Sequence, residues 1–127
     1  LPGIPLAIAR PDLDMTLIEA VDKKSAFQRQ AKIELGLSNI SVLNRRVEDV
    51  EAGSFDAGVS RAFAEIADFI RQAGHLLAPC GRLYAMKGRL PDDELGKLPP
   101  GWTTVACMPL KVPGLHAQRH LIVIEKV

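Results

Sequence analysis

Short apolar runs of strand length alternate along the chain with longer stretches whose apolar residues return every three or four positions. Asp14 to Glu19 (DMTLIE) is a compact apolar run closed by an acid, the pattern of a strand buried on both faces. From Lys24 to Leu35 the residues Phe27, Ala31 and Leu35 recur at helical spacing and Gly36 follows as a stop, which predicts an amphipathic helix. Asn39–Leu43 and Phe55–Ser60 read as two further strands. Phe63, Ile66, Ile70, Ala73 and Leu77 mark one face of a second helix, ended by Pro79 and Gly81. Arg82–Met86 is then a strand, Pro91–Leu98 a short helix, and Pro99-Pro100-Gly101 a tight connection. Thr103–Leu110 and His120–Glu125 close the pattern as two strands. The segment 111–118 between them has no helical period, so they are expected to pair antiparallel. At the other end, Leu1 to Pro11 reads as the first turns of a helix, with Pro11 driving Arg10 out of helical conformation.

Alternating strands and helices followed by a terminal hairpin imply an α/β fold with a mainly parallel sheet and an antiparallel edge. Among doubly wound folds, that antiparallel strand favours methyltransferases over nicotinamide dehydrogenases. The chain has 127 residues, enough for one core, and shows no repeat or linker, so residues 1–127 are expected to form a single domain. With 47% hydrophobic and 24% charged residues it is expected to fold rather than stay disordered. No apolar run approaches a bilayer span and no export signal is visible, so a cytoplasmic location is expected. Cys80 and Cys107 lack metal or disulfide spacing and are expected to be reduced, buried thiols.

Net charge is only +1, so nucleic-acid binding would need local basic patches rather than a strongly basic chain. Candidates are Lys23, Lys24, Arg29, Lys32, Arg45 and Arg46, then Arg82, Lys87 and Arg89; each taken singly is also readable as a solvated surface charge.

Ligands of open α/β sheets bind beyond the carboxyl ends of the strands. There Glu19 is placed to accept hydrogen bonds from ribose hydroxyls, or simply to complement the dipole of the following helix. Val47 offers an apolar surface and Glu48 a polar rim at the height of an adenine ring, or an ordinary loop. Arg61 is expected to point into the same cleft, or to form a structural ion pair with an acid such as Glu48. Ser60, Lys87 and Arg119 are the candidate RNA contacts, Lys87 being equally readable as a solvated lysine. His75, His116 and His120 have no Ser/Asp partners and no metal-ligand spacing, so neither a catalytic histidine nor a metal is expected.

The runs LPGIPLAIARPDLDMTLIEAVDKKSAFQRQAKIELGLSNISVLNRRVED, FDAGVSRAFAEIADFI, GRLYAMKG and PGLHAQRHLIVIEK, in that order, resemble the RsmG (GidB) family of 16S ribosomal RNA guanine-N7 methyltransferases over essentially the whole chain. The resemblance implies a Rossmann-like class I methyltransferase sheet and S-adenosylmethionine as cofactor. It matches Leu1, Val47, Glu48 and Arg61 to cofactor-contacting positions, with Glu19 as the ribose acid. Its implied partner is 16S ribosomal RNA or the small ribosomal subunit, with no membrane. The family's glycine-rich loop and first, central strand precede its LPGIPLAI motif and are missing here. The expectation is therefore an N-terminally truncated methyltransferase domain, inactive by itself. Two other readings stay open: a methyltransferase for a small molecule or protein, and a noncatalytic Rossmann-like binding module.

Overall fold

The computed structural model describes residues 3–53, 55–60, 65–88, 92–110 and 119–127. Two compact units divide the chain, Leu1–Val50 and Glu51–Val127.

The first unit begins with helix α1 (Gly3–Ala9), whose Pro5 lies in the first turn, where a missing N–H costs no hydrogen bond. Strand β1 (Met15–Ile18) pairs in parallel with β2 (Ile40–Leu43), Met15 opposite Ile40 and Ile18 opposite Leu43. Ala7, Leu17 and Ile40 form the core of this unit, flanked by Ile4, Met15, Leu37 and Val42. Gly3 is buried against Leu17 with no room for a Cβ, so glycine here lets α1 lie close on β1. The expectation of a first strand buried on both faces is corrected: only Leu17 is buried, and Met15, Thr16 and Ile18 are half-exposed.

Helix α2 (Asp22–Leu35) joins β1 to β2 and ends at Gly36, whose φ of 63° lies in the left-handed region. There the N–H groups of Gly36 and Leu37 return to the carbonyls of Ile33 and Lys32. Its expected inner face is wrong. Phe27 is 61% and Leu35 55% exposed, whereas Ser25 and Gln28 are buried. At 3.6 residues per turn the Ser25–Gln28–Lys32 line lies roughly a quarter-turn from the Phe27–Ala31–Leu35 line. Periodicity determines which residues share a face, and neighbouring elements determine which face turns inward.

The second unit holds a four-stranded sheet in the order β3-β4-β6-β5. Strand β3 (Phe55–Ser60) runs parallel to β4 (Leu77–Lys87). The last two strands, β5 (Trp102–Pro109) and β6 (His120–Lys126), are antiparallel to each other as expected, and β6 also pairs antiparallel with β4. Consecutive burial of Ile122, Val123 and Ile124 shows that both faces of β6 are covered. With Leu83 and Ala85 of β4 and Ile66, Phe69, Ile70 and Ala73 of helix α3 (Ile66–Ala73), they form the main core. Helix α4 (Asp92–Leu95) is shorter than the Pro91–Leu98 expectation.

The second expected helix also ends early. A short 3₁₀ turn, Gly74–Leu76, follows Ala73, and Leu77 opens β4 instead of closing α3. Phe63 lies outside the described residues, as does the connection 111–118. Between the pairs Phe55/Leu77 and Ala57/Arg82, β4 advances five residues while β3 advances two. The surplus includes Pro79, which cannot donate to a ladder, and Cys80 at a φ of 68°. Both cysteines are unbridged, but the expectation of burial fails: Cys80 sits in this irregularity and Cys107 on the largely exposed β5, and both face solvent.

Candidate functional site

In the first unit the carboxyl ends of β1 and β2 bring the two candidate cofactor loops side by side. The N–H of Glu19, one residue beyond β1, donates to the carbonyl of Leu43 at 2.9 Å, extending the parallel ladder to the strand ends. Its half-buried carboxylate accepts the Val21 N–H through Oε1 at 3.3 Å, which leaves acceptor capacity for a ligand hydroxyl. Past β2, Val47–Asp49 forms a 3₁₀ turn, held by Asp49 N–H to Arg46 carbonyl at 3.0 Å. Val47 is half-buried and Glu48 exposed.

Sequence reasoning missed the bond that joins these loops. Asn44 Nδ2 donates to Asp22 Oδ1 at 2.7 Å, tying the residue after β2 to the first turn of α2. Two polar residues 22 positions apart carry no periodic signal that could have revealed the pairing. Leu1 and Arg61, the other two cofactor candidates, lie outside the described residues.

In the second unit the three candidate RNA contacts share one edge of the sheet. Ser60 ends β3, opposite Ala85, and Lys87 ends the neighbouring β4. Lys87 pairs with His120, the first residue of β6, so Arg119 immediately precedes the strand at that same edge. The His120 Nδ1 lies 3.2 Å from the Gly88 carbonyl, so the ring serves a local structural contact. Lys87 is not a solvated lysine: its Nζ is 3.0 Å from Glu94 Oε1, and the two side chains are only 15% and 23% exposed. The same oxygen accepts the Ile66 N–H at 2.7 Å, and a shallow crevice is lined by Ser60, Glu65, Ile66, Phe69, Met86 and Lys87. Glu94 was not singled out in the sequence, where it is one acid among three in a short polar run.

Among the basic residues, Arg82 pairs with Glu125 at 3.1 Å, while Lys23, Lys24, Arg29, Arg45 and Arg46 are exposed. Among the described residues no group of three or more His, Cys, Asp or Glu side chains is placed to hold a metal ion. No described helix is long and apolar enough to cross a membrane.

Residues 1–122 match the family described as rRNA small subunit methyltransferase G, or GidB. The chain belongs to the GidB family. Its GidB relatives include a ribosomal RNA small subunit methyltransferase G from Azoarcus sp. (strain BH72), 55% identical over 127 residues, covering 99% of this chain and 60% of the relative. Another, from Aromatoleum aromaticum, is 56% identical over 131 residues and is covered to 62%. The chain thus spans about three-fifths of the length of these curated GidB relatives. Among solved structures, TrmN from Thermus thermophilus superposes with a TM-score of 0.67 at 22% identity, over 88% of this chain and 36% of that one. TYW2 from M. jannaschii, solved in complex with AdoMet, gives 0.67 at 16% identity, over 98% and 63%. These likenesses show the fold: this GidB chain has the Rossmann-like α/β architecture of class I methyltransferases.

Proposed function

We propose that the complete polypeptide carrying this chain transfers a methyl group from S-adenosylmethionine to guanine N7 of 16S ribosomal RNA, and that residues 1–127 belong to one methyltransferase domain. The observation that carries this reading is the convergence of Glu19, Val47 and Glu48 at the carboxyl edge of a parallel strand pair, in a chain of the GidB family. The donor set suits an adenosine. Glu19 keeps acceptor capacity for vicinal hydroxyls, and Val47 offers an apolar surface to a ring. Leu1 and Arg61 remain cofactor candidates by the family resemblance alone, since both lie outside the described residues. Ser60, Lys87 and Arg119 are proposed to face the RNA, or the assembled small subunit, in the cytoplasm.

When bound, S-adenosylmethionine supplies a methyl group on a sulfonium, whose carbon–sulfur bond breaks as the guanine N7 lone pair forms the new carbon–nitrogen bond. N7 carries no proton, so the residues need not include a base. Their work is to hold two reactants in line, and orientation alone can lower a barrier by several kcal/mol. Because side chains cannot read the deep major groove of A-form RNA, the target guanine must lie in a loop or another accessible segment. Outer edges of β1 and β3 lack a strand partner among the described residues, so each can accept a further parallel strand. Supply of such a strand and of a glycine-rich loop by the complete polypeptide is part of the proposal.

The test is transfer of labelled methyl from S-adenosylmethionine to 16S ribosomal RNA and to small subunits, followed by nucleoside analysis. Appearance of 7-methylguanosine is expected, and Glu19→Ala should weaken cofactor binding about tenfold or more by removing charge-assisted hydrogen bonds. Absence of RNA methylation by the complete wild-type protein overturns the reading.

A further inference from the structure

We infer that Glu94 is a positioning residue of the transfer site, bolting the amino end of α3 to the carboxyl end of β4 and so fixing the strand ends that the acceptor RNA approaches. The inference rests on the proposed methyltransferase reading and deepens it by assigning a residue that does not itself touch substrate. One carboxylate oxygen makes both connections, accepting the Ile66 N–H at 2.7 Å and the Lys87 ammonium at 3.0 Å.

Each connection answers a local need. The first turn of a helix leaves N–H groups without intrahelical partners, and a side chain at the N-cap ordinarily accepts one of them. Glu65 occupies that position in α3 and makes no such bond. Glu94, 28 residues beyond Ile66, takes over the task from α4. At Lys87 the need is electrostatic: a charge on a side chain only 15% exposed is costly to leave uncompensated. A carboxylate shared between an ammonium and a helix N-terminus complements both positive ends.

The placement gives this bridge its consequence. Ser60 and Lys87 end neighbouring parallel strands, the edge at which open α/β sheets receive ligands. Ile66, Phe69 and Glu65 form the α3 side of the crevice, and Ala85, Met86 and Lys87 the β4 side. Glu94 is bonded to both sides, so its loss removes a direct tie between them. In-line transfer tolerates little displacement, since an error of about 1 Å can cost as much as a hundredfold in rate.

The experiment uses the complete polypeptide with 16S ribosomal RNA, comparing wild type, Glu94→Ala and Glu94→Gln. Glutamine keeps an acceptor for the Ile66 N–H and loses the ion pair. Cofactor affinity is read by calorimetry and folding by thermal melting, alongside kcat and KM. Alanine is expected to lower kcat about tenfold or more, with S-adenosylmethionine affinity within about twofold of wild type, and glutamine to restore a measurable part of the loss. Wild-type turnover in a folded alanine variant overturns the inference, as does a fall in cofactor affinity matching the fall in kcat. If the alanine variant does not fold, glutamine decides: reduced kcat at unchanged cofactor affinity supports the inference, and wild-type kcat overturns it. A wild-type protein inert on RNA is recognised before any variant is compared, and refutes the methyltransferase reading instead.

Discussion

Replacing Gly74 by alanine should destabilise the protein, and the sign of the effect should depend on a residue 28 positions away. Gly74 is buried, and a Cβ there would stand 2.7 Å from Cζ2 and 3.0 Å from Cη2 of Trp102. Carbon atoms pack at about 3.5–4.0 Å, so the indole edge must retreat by roughly 1 Å. The ring is not free to do so cheaply. It belongs to β5, its backbone pairs with Lys126, and the Lys126 ammonium lies 5.6 Å from the ring centre. Overpacking of this kind costs about 1–3 kcal/mol. Against it stands a gain of about 0.4–1 kcal/mol, because the unfolded chain loses freedom and alanine readily adopts a right-handed helical conformation. The observed φ of −59° and ψ of −32° at Gly74 are of that kind. A net loss of about 1–2 kcal/mol is expected. In a Trp102→Leu background the obstruction is gone, and the same Gly74→Ala change should be neutral or stabilising by up to about 1 kcal/mol. Urea unfolding of the four proteins, followed by far-ultraviolet circular dichroism, measures the cycle. Equal effects of Gly74→Ala in both backgrounds would refute the steric argument.

Gly3→Ala should cost about 1–3 kcal/mol by forcing α1 away from Leu17, measurable as a lower melting temperature; an unchanged melt is incompatible with the close approach described. Ser25 Oγ is buried with no hydrogen-bond partner among the described residues, so Ser25→Ala should stabilise by up to about 1 kcal/mol, and clear destabilisation in urea would count against that burial. Ile124→Ala in the fully buried part of β6 should cost about 2–5 kcal/mol in the same assay, and a loss below about 1 kcal/mol would show that the site is not packed as described. Asp12, hydrogen-bonded to Arg10 at 2.7 Å, has its carboxyl held below the ordinary value. Its contribution is therefore present above the unfolded-state value and lost as pH falls through the lower folded-state one. Melting of Asp12→Asn should converge on wild type in that acidic window; a difference that grows there would reverse the sign.

The alternation of strands and helices was legible because strand-sized apolar runs and helical spacing differ in period. So was the antiparallel pairing of β5 with β6, which follows from a connection with no helical pattern. Glu19, Val47 and Glu48 were singled out because strand ends are where α/β sheets take ligands, and they follow the neighbouring strands β1 and β2. Other features could not be read in this way. Leu77 fits the helical spacing of α3 equally well as the first buried residue of β4, so periodicity alone could not end the helix. The Phe27 and Leu35 stripe met no core on that side of α2. The Asn44–Asp22 and Glu94–Lys87 bonds arise from elements brought together by folding, and residue type alone does not announce them.

The place of β6 between β4 and β5 carries a consequence for synthesis. A ribosome that has delivered everything through Pro109 has produced β5 with no neighbour to lean on, since the strand that joins it to β4 is still unmade. Ile122, Val123 and Ile124 of β6 emerge after both of the strands they separate, β4 and β5. Nascent chains stalled before β6 should be open to proteases in this unit, whose sheet should close in one cooperative event when that strand arrives rather than strand by strand.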